Sequence, residues 1–321
     1  MPDFVETMAY RGEVPWHGLG EVINDDMTTK EKIVAAQLDW NVVKTPMFMK
    51  SLTGGFRAVP NKNALIRDSD EKYFSTVSDN WNPVQNLAIV EFFDRYSKSG
   101  GVTLETLGSL KGGRVVWALA KLNHSFAAST GDNVNGYLFF ATFHEVGYST
   151  FLKTTAVRVV CWNTFQAALG SSGLINHAKQ NHMSAFDFEK AAENVERAHE
   201  NLTVMEKQAH ALVDLKLSTP DTVMQLAQVM QPELTVDLAA DPDNWSKQVQ
   251  QVMESIACAP GAMPNTGWGV LQGFTHWSNH VAGNSPDARL QKAWLGVNDK
   301  LSQQLNTNLL KLTDKDLVLA T

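Results

Sequence analysis

Two histidines, His276 and His280, stand four residues apart in a segment whose pattern predicts a helix. At that spacing both imidazoles project from one face of the helix and can share a metal ion. A catalytic zinc needs three protein ligands, but no third ligand follows nearby and no glutamate stands between the two histidines. We therefore expect capping or surface histidines and no metal site, with a metal-dependent hydrolase as an open alternative.

His17 and Cys161 are two further residues that could act as a base or a nucleophile. The Trp-His-Gly-Leu-Gly segment around His17 lacks the third glycine and the preceding strand of a dinucleotide site, so we interpret it as an anchored turn. Cys161 lies in a β-prone apolar run, where an unpaired cysteine commonly packs as a small hydrophobe. No acid pair or nucleophile elbow occurs elsewhere, so we expect no catalytic residue and no cofactor, and we disfavour an enzyme.

Cationic residues in the middle of the chain form a different kind of candidate site. The formal net charge of -7 argues against a surface coated in basic groups, although a local basic groove is compatible with it. Cations that follow a phosphate backbone beside aromatic rings that stack on bases would suit a single strand. The predicted contacts are Lys111, Arg114, Lys153 and Arg158, with Asn163 and Thr164 as supports at a helix start and Trp117, Tyr137, Phe139 and Trp162 as ring faces. The alternative is that these aromatic side chains belong to the core and that the cations are solvated strand ends.

Six short motifs follow one another along the chain and resemble the successive motifs of a phage- and plasmid-like protein family of unknown function. The resemblance extends from near residue 10 to residue 296 and departs at 177–182, where the family usually has an Arg-His-Thr pattern and this chain has His-Ala-Lys-Gln-Asn-His. The motifs are Pro-Trp-His-Gly-Leu-Gly at 15–20, Pro-Val-Gln-Asn at 83–86, Gly-Arg-Val-Val-Trp-Ala-Leu at 113–119, Arg-Val-Val-Cys-Trp-Asn-Thr at 158–164, Gly-Trp-Gly-Val-Leu at 267–271 and Ala-Trp-Leu-Gly at 293–296.

The resemblance implies a genomic setting more than an activity. Members of that family tend to be encoded by mobile elements, often beside replication and recombination genes, which favours work on nucleic acid. The strand-rich middle of the chain is also similar, at the level of fold, to phage single-strand annealing proteins that hold a strand in a basic groove. We therefore predict a non-enzymatic, homo-oligomeric accessory protein that binds single-stranded nucleic acid and assists recombination.

The first half of the chain has the pattern of short strands and a few helices, which predicts an α+β fold. Thr28 and Glu31 have the spacing of a capping box, so a helix is expected to begin there. A second helix is expected to begin at Pro83 and to end at Gly100 and Gly101. We predict an antiparallel meander with strands at 41–49, 56–60, 64–67, 73–77, 102–107, 114–122, 134–144 and 150–162, followed by a short helix at 163–170.

The second half of the chain has a helical pattern throughout. Apolar residues from Phe188 to Leu212 recur at steps of three and four, which predicts a long helix near 184–216. We expect a sheet domain at 1–175 and an all-helical region at 176–321 packed on it, with further helices at 245–258, 267–281 and 286–312. The apolar seam of the long helix either covers the chain's own core or associates with a second copy of the chain; as an alternative function, it binds a host or phage partner. The seam residues are Val195, Leu202, Met205 and Leu212.

The sequence also indicates a compartment. The N-terminal segment has no basic start followed by an apolar run, and no later stretch approaches the ~18 apolar residues that a membrane helix needs. The two cysteines, Cys161 and Cys258, lie far apart and without the spacing of metal ligands. We therefore expect a cytoplasmic protein that does not interact with membranes.

Overall fold

The computed structural model describes residues 5–12, 20–98, 101–129, 132–155, 178–258, 263–283 and 297–313. The chain divides into two compact units, each of which is built from three separate segments of the sequence. The domains expected from the sequence follow one another, with a single boundary after residue 175. In the structure, the segment at 176–198 belongs to the first unit. The first unit contains Met1–Asn123, Tyr137–Thr154 and Asn176–Ala198, and the second contains His124–Gly136, Thr155–Ile175 and His199–Thr321.

Two sheets organise the strands in the described part of the chain. A seven-stranded sheet has the order β10-β9-β8-β7-β6-β1-β2, and a three-stranded sheet has the order β3-β4-β5. The strands are β1 (Val5–Tyr10), β2 (Glu21–Val22), β3 (Val42–Lys50), β4 (Phe56–Arg67), β5 (Tyr73–Val77), β6 (Val102–Leu110), β7 (Val115–Ser129), β8 (Asp132–Phe143), β9 (Thr150–Thr155) and β10 (Ala178–Gln180).

The predicted α+β class is confirmed, but the predicted antiparallel meander is only partly right. The small sheet is a meander, because β4 pairs antiparallel with both β3 and β5. In the large sheet, β1 pairs antiparallel with the distant β6 and parallel with β2. The short β10, which falls in the region predicted to be all helical, pairs antiparallel with β9. Patterns of neighbouring residues do not reveal such long-range pairing, so a local reading favours a simple meander.

Two helices accompany the sheets of the first unit. Helix α1 (Thr29–Ala35) begins after Thr28, whose side chain accepts a hydrogen bond from the Glu31 amide while the Glu31 carboxylate accepts one from the Thr28 amide, so the predicted capping box is confirmed. Helix α2 (Asn86–Lys98) begins three residues after the predicted start at Pro83. Asn86 instead donates hydrogen bonds from its buried side chain to the carbonyls of Leu38 and Trp40, which ties the start of α2 to the segment before β3.

An aromatic cluster fills the space between α2, strand β8 and the segment that follows β10. The Phe140 ring lies 5.4 Å from that of Phe186 and 6.3 Å from that of Phe188, and Phe92 lies 5.8 Å from Phe188. Such ring pairs contribute about 0.5 to 1.5 kcal/mol each beyond the burial of their area. The cluster therefore fixes the segment that leads into the long helix to the body of the first unit.

The second unit is mainly helical, as the apolar periodicity predicts. Its core joins residues such as Leu212, Leu226, Val252, Phe274 and Leu309. The long helix is confirmed as α3, although its N-terminal part clusters with the first unit. The helices are α3 (Phe188–Asp214), α4 (Thr219–Met230), α5 (Val236–Ala239), α6 (Lys247–Cys258), α7 (Gly267–His276), which continues into a π-helical turn (Trp277–Val281), and α8 (Val297–Lys311).

No helix in the described segments combines the length and the apolar character that a membrane-spanning helix needs.

Candidate nucleic-acid interface

The β3–β4 hairpin carries a concentration of positive charge. Between Asp39 and Asp68 the sequence contains no aspartate or glutamate, although the whole chain has 34 acidic residues against 27 basic ones. Both strands and their turn fall inside this acid-free stretch. The local net charge is therefore opposite in sign to that of the chain. Its cations are Lys44, Lys50, Arg57, Lys62 and Arg67.

The hairpin turn is closed by glycine. The Ser51 amide donates to the Gly55 carbonyl at 3.0 Å, and the Gly54 amide donates to the Ser51 carbonyl at 3.2 Å. Gly54 and Gly55 have φ angles of 95° and 75°, in a region that residues with a β-carbon rarely adopt. Pro46 fits in β3 because β3 is an edge strand, where a missing amide donor is tolerated. These local features allow an arm to form from residues that bury little surface.

Large apolar side chains on this arm are exposed. Phe48 is 62 % and Phe56 is 77 % accessible, and Met49 and the turn residue Leu52 are also exposed. The strand register pairs Phe48 with Ala58, Met49 with Arg57, and Lys50 with Phe56. Directly opposed residues share one side of a sheet. One face of the arm therefore carries Phe48, Lys50 and Phe56, and the other carries Met49 and Arg57.

Three of the five cations are free to meet an external anion. Lys50, Arg57 and Lys62 are exposed, and none of the ion pairs found between described residues involves them. By contrast, the Lys44 ammonium donates to the Asp79 carbonyl at 2.6 Å. Arg67 forms ion pairs with Asp70 and Glu6, at 2.7 and 3.2 Å. The hydrogen bond from Arg67 lowers the pKa of Asp70 to about 2.

Aromatic packing fixes the base of the arm to the large sheet. Trp40, just before β3, lies 5.9 Å from the Phe74 ring of β5, and the Arg67 guanidinium lies 5.3 Å from the Trp40 ring centroid. His144, which follows β8, stacks on Phe74 at 5.5 Å. His144 is fully buried, and neither of its ring nitrogens has a hydrogen-bond partner among the described residues. This burial lowers the pKa of His144 to about 3.

A second histidine, His182, is also packed within the first unit. Its ring stacks on Trp81 at 4.1 Å, and its Nδ1 atom lies 2.9 Å from the Asn82 carbonyl oxygen. Burial lowers the pKa of His182, and the contact with the Asn82 carbonyl opposes that shift. The contact joins the turn after β10 to the segment before α2. Both histidines therefore act here as packed structural groups.

The two predicted cations that the structure describes lie at the turn between β6 and β7. Lys111 has a φ angle of 53° within this turn, and the Arg114 guanidinium lies 3.4 Å from the Glu145 carboxylate. The turn approaches the base of the arm so closely that a β-carbon on Gly112 would collide with the Lys72 ammonium. Positive charge does gather here, but Glu145, Glu6 and Asp70 balance much of it. The side chain of Lys153, and Arg158, Asn163 and Thr164, lie outside the described residues.

The predicted ring faces are wrong in the described part of the middle strands. Trp117, Tyr137 and Phe139 are all buried in the fold, so no base can stack on them. Trp162 lies outside the described residues. Strand alternation predicts two faces but does not tell which of them faces solvent, and here both faces of β8 are covered. The accessible rings are those of the hairpin instead.

The apolar seam of α3 is largely covered by the chain itself. Leu202 and Leu212 are buried, Met205 is half-buried, and the side chain of Val195 lies outside the described part. The Leu202 side chain packs so closely on Gly136 that a β-carbon at this glycine would overlap it. Both residues belong to the second unit. Leu202 and Leu212 therefore offer no surface to a partner.

The two histidines four residues apart do lie together. The His276 and His280 rings are 4.8 Å apart, at the junction of α7 with its π-helical turn. Over the segments that the structure describes, no group of three histidine, cysteine or acidic side chains is placed to hold a metal ion. Two imidazoles alone leave a catalytic zinc short of a ligand. His17 and Cys161 lie outside the described residues.

One signal in the sequence identifies the hairpin without a structure. It is the acid-free run with five cations, in which two phenylalanines flank a Gly-Gly turn. The cations of the middle strands are spread over 111–158 among more aromatic residues, but they share that stretch with Asp132 and Glu145. Absence of acidic residues over a continuous stretch is the more direct indicator of a local positive potential.

Comparisons with known proteins give a family without an activity. A model described as a domain of unknown function, DUF932, matches residues 73–304. No curated protein and no solved structure matches the chain. The matched residues begin at the first residue of β5, so the β3–β4 hairpin precedes them.

Proposed function

We infer that this chain, which belongs to the DUF932 family of domains of unknown function, is a non-enzymatic nucleic-acid-binding protein that makes contact through its β3–β4 hairpin. The observation that carries this inference is the acid-free arm, on which Lys50, Arg57 and Lys62 are exposed and outside the ion pairs found between described residues, in a chain of net charge -7. Unspecific affinity for nucleic acid comes mainly from cations that displace counterions from phosphates. An isolated basic arm on an acidic body directs that affinity to one surface.

The negative charge elsewhere strengthens the argument for one defined contact surface. An acidic body repels a polyanion, so a strand is held only where cations outnumber carboxylates. Lys50, Arg57 and Lys62 satisfy that condition along the arm. Lys111 and Arg114 at the adjacent turn are proposed as secondary contacts, and Lys153, Arg158, Asn163 and Thr164 remain contacts proposed from the sequence alone.

We extend the proposal to a role in a phage or plasmid, as a homo-oligomeric accessory protein that assists recombination by strand annealing. The motif resemblance supports that setting, and the arm supplies the contact that such a role requires. An interaction module that acts through the seam of α3 is less well supported, because Leu202 and Leu212 are buried.

The first prediction concerns the salt dependence of binding. In the variant K50Q/R57Q/K62Q we expect the affinity for single-stranded DNA to fall at least about tenfold at moderate salt, because up to three phosphate contacts are lost. The slope of log K against log salt should become shallower by about two, since each contact with a single strand contributes about 0.7. Fluorescence anisotropy of a labelled oligothymidine over a range of salt concentrations measures both quantities.

A matched control removes the same charge from other surfaces. Lys30, Lys247 and Lys311 are exposed lysines outside the hairpin. The variant K30Q/K247Q/K311Q should retain affinity within about twofold and keep the original salt slope, because it removes no proposed phosphate contact. Equal losses in the two triple variants would show that total charge, and not the arm, governs binding. A wild-type protein that binds no oligonucleotide at low salt would refute the proposed function.

A further inference from the structure

The two exposed phenylalanines occupy one face of the arm in a defined geometry. Phe56 lies opposite Lys50, and Phe48 lies opposite Ala58, two pairs further from the turn. Phe48 and Phe56 are thus diagonal neighbours across the two strands, with β-carbons on the order of 7 Å apart. The Lys50 side chain lies on the same face, between Phe48 along its own strand and Phe56 across from it. Two flat rings and one ammonium therefore form a compact surface.

These rings have no packing role in the arm. None of the ring contacts formed between described residues involves Phe48 or Phe56, whereas Phe74 at the base has two aromatic neighbours. Exposed aromatic side chains grouped on one face are typical of a binding surface, whereas single exposed apolar residues scattered over a protein need no such explanation. The arm would fold with smaller or polar residues at both positions, since the turn and the cross-strand hydrogen bonds do not depend on them.

We propose that Phe48 and Phe56 are a pair of base-stacking platforms that make the hairpin select single-stranded over double-stranded nucleic acid. This proposal rests on the proposed function and adds the residues by which the arm distinguishes a single strand from a duplex. In a duplex the faces of the bases are covered by their neighbours, so the rings have nothing to stack on. An unpaired strand exposes its bases to Phe48 and Phe56 while Lys50 contacts the phosphate between them.

An anionic membrane surface is the competing partner for a basic arm with apolar groups. Membrane insertion through a hairpin requires apolar residues at its tip, because the tip enters the bilayer first. The turn here reads Ser51, Leu52, Thr53, Gly54 and Gly55, which contains a single apolar side chain. The rings instead lie on the broad face of the strands, where an extended chain can run along the arm. The geometry therefore favours a strand over a bilayer.

The experiment compares ring removal with charge removal in the full chain. The variant F48L/F56L keeps the apolar character and removes both rings. We expect its affinity for a labelled oligothymidine to fall about ten- to a hundredfold, and its affinity for a duplex of the same length to stay within about twofold of wild type. Tyr73 is an exposed ring on β5 outside the hairpin, and the control Y73L should bind both probes like the wild type.

The other outcomes distinguish the stacking proposal from the proposed function. If F48L/F56L binds the single strand as tightly as wild type while K50Q/R57Q/K62Q does not, the stacking proposal is overturned and the proposed function stands. Equal losses for single strand and duplex in F48L/F56L also overturn it. If the wild type binds neither nucleic acid but binds vesicles of anionic phospholipid through Phe48 and Phe56, the proposed function and the stacking proposal are both overturned. Circular dichroism of every variant establishes that the fold is retained.

Discussion

Replacing Asp94 with alanine is expected to lower the free energy of unfolding by about 3 to 5 kcal/mol, because it leaves a buried ammonium without its counter-charge. Asp94 on α2 accepts a 2.6 Å hydrogen bond from the Lys32 ammonium on α1, and both side chains are only 9 % exposed. The Thr29 hydroxyl donates to the second carboxylate oxygen. Urea denaturation followed by tryptophan fluorescence measures the loss.

Two comparisons test whether the loss comes from the uncompensated charge. In the double variant K32M/D94L an apolar pair replaces the ion pair, and most of the lost stability should return. The neighbouring ion pair of Arg95 with Glu189 is largely exposed, so R95A should cost less than about 1 kcal/mol. A D94A protein as stable as the wild type would show that water reaches Lys32 and that the pair is not a buried one.

Local signals in the sequence identify many of the helices and strands, because these signals come from contacts between neighbouring residues. The capping box of Thr28 and Glu31 involves residues three apart at a helix start, so it can be recognised without knowing the rest of the fold. Helix α3 is predicted by apolar residues at helical spacing, and β5 coincides with the predicted strand at 73–77. Each of these features depends on contacts between residues that are close in sequence.

Elements that depend on distant partners are the ones that sequence analysis misplaces. The strand Val5–Tyr10 joins the large sheet beside β6, nearly one hundred residues later, and no turn signal connects the two. Helix α2 begins at Asn86 and not at Pro83, because Asn86 donates to two carbonyls before β3. A long-range hydrogen bond of this kind overrides the preference of proline for a first turn.

The candidate site also combines features that depend on nearby residues with features that depend on distant partners. The cationic site predicted from the sequence lies at 111–164 and misses the arm, although the acid-free stretch that would locate the arm is visible without a structure. The burial of Trp117 and Tyr137, by contrast, depends on what packs against each face of the middle strands. The exposure of Phe48 and Phe56 likewise depends on the fold, because β5 pairs with β4 only from Asn63 to Ile66 and does not extend along the distal part of the hairpin. Sequence therefore indicates where cations gather, but only the fold shows which rings can meet a base.

Lowering the pH from 7.5 to 5 is expected to cost the wild-type protein about 2 kcal/mol of stability through His144 alone. Burial lowers its pKa from 6.5 to about 3 in the folded protein, so between those values only the unfolded chain takes up the proton. The contribution of His144 is therefore complete above pH 6.5 and falls by about 1.4 kcal/mol per pH unit towards pH 3. Urea denaturation at the two pH values measures the difference.

The variant His144→Phe separates this residue from other titrating groups. It keeps a ring to stack on Phe74 and has no proton to bind, so most of the loss between pH 7.5 and 5 should disappear. A smaller loss should remain because the pKa of the buried His182 is also lowered. If the variant lost as much stability as the wild type, His144 would be reached by water in the folded protein.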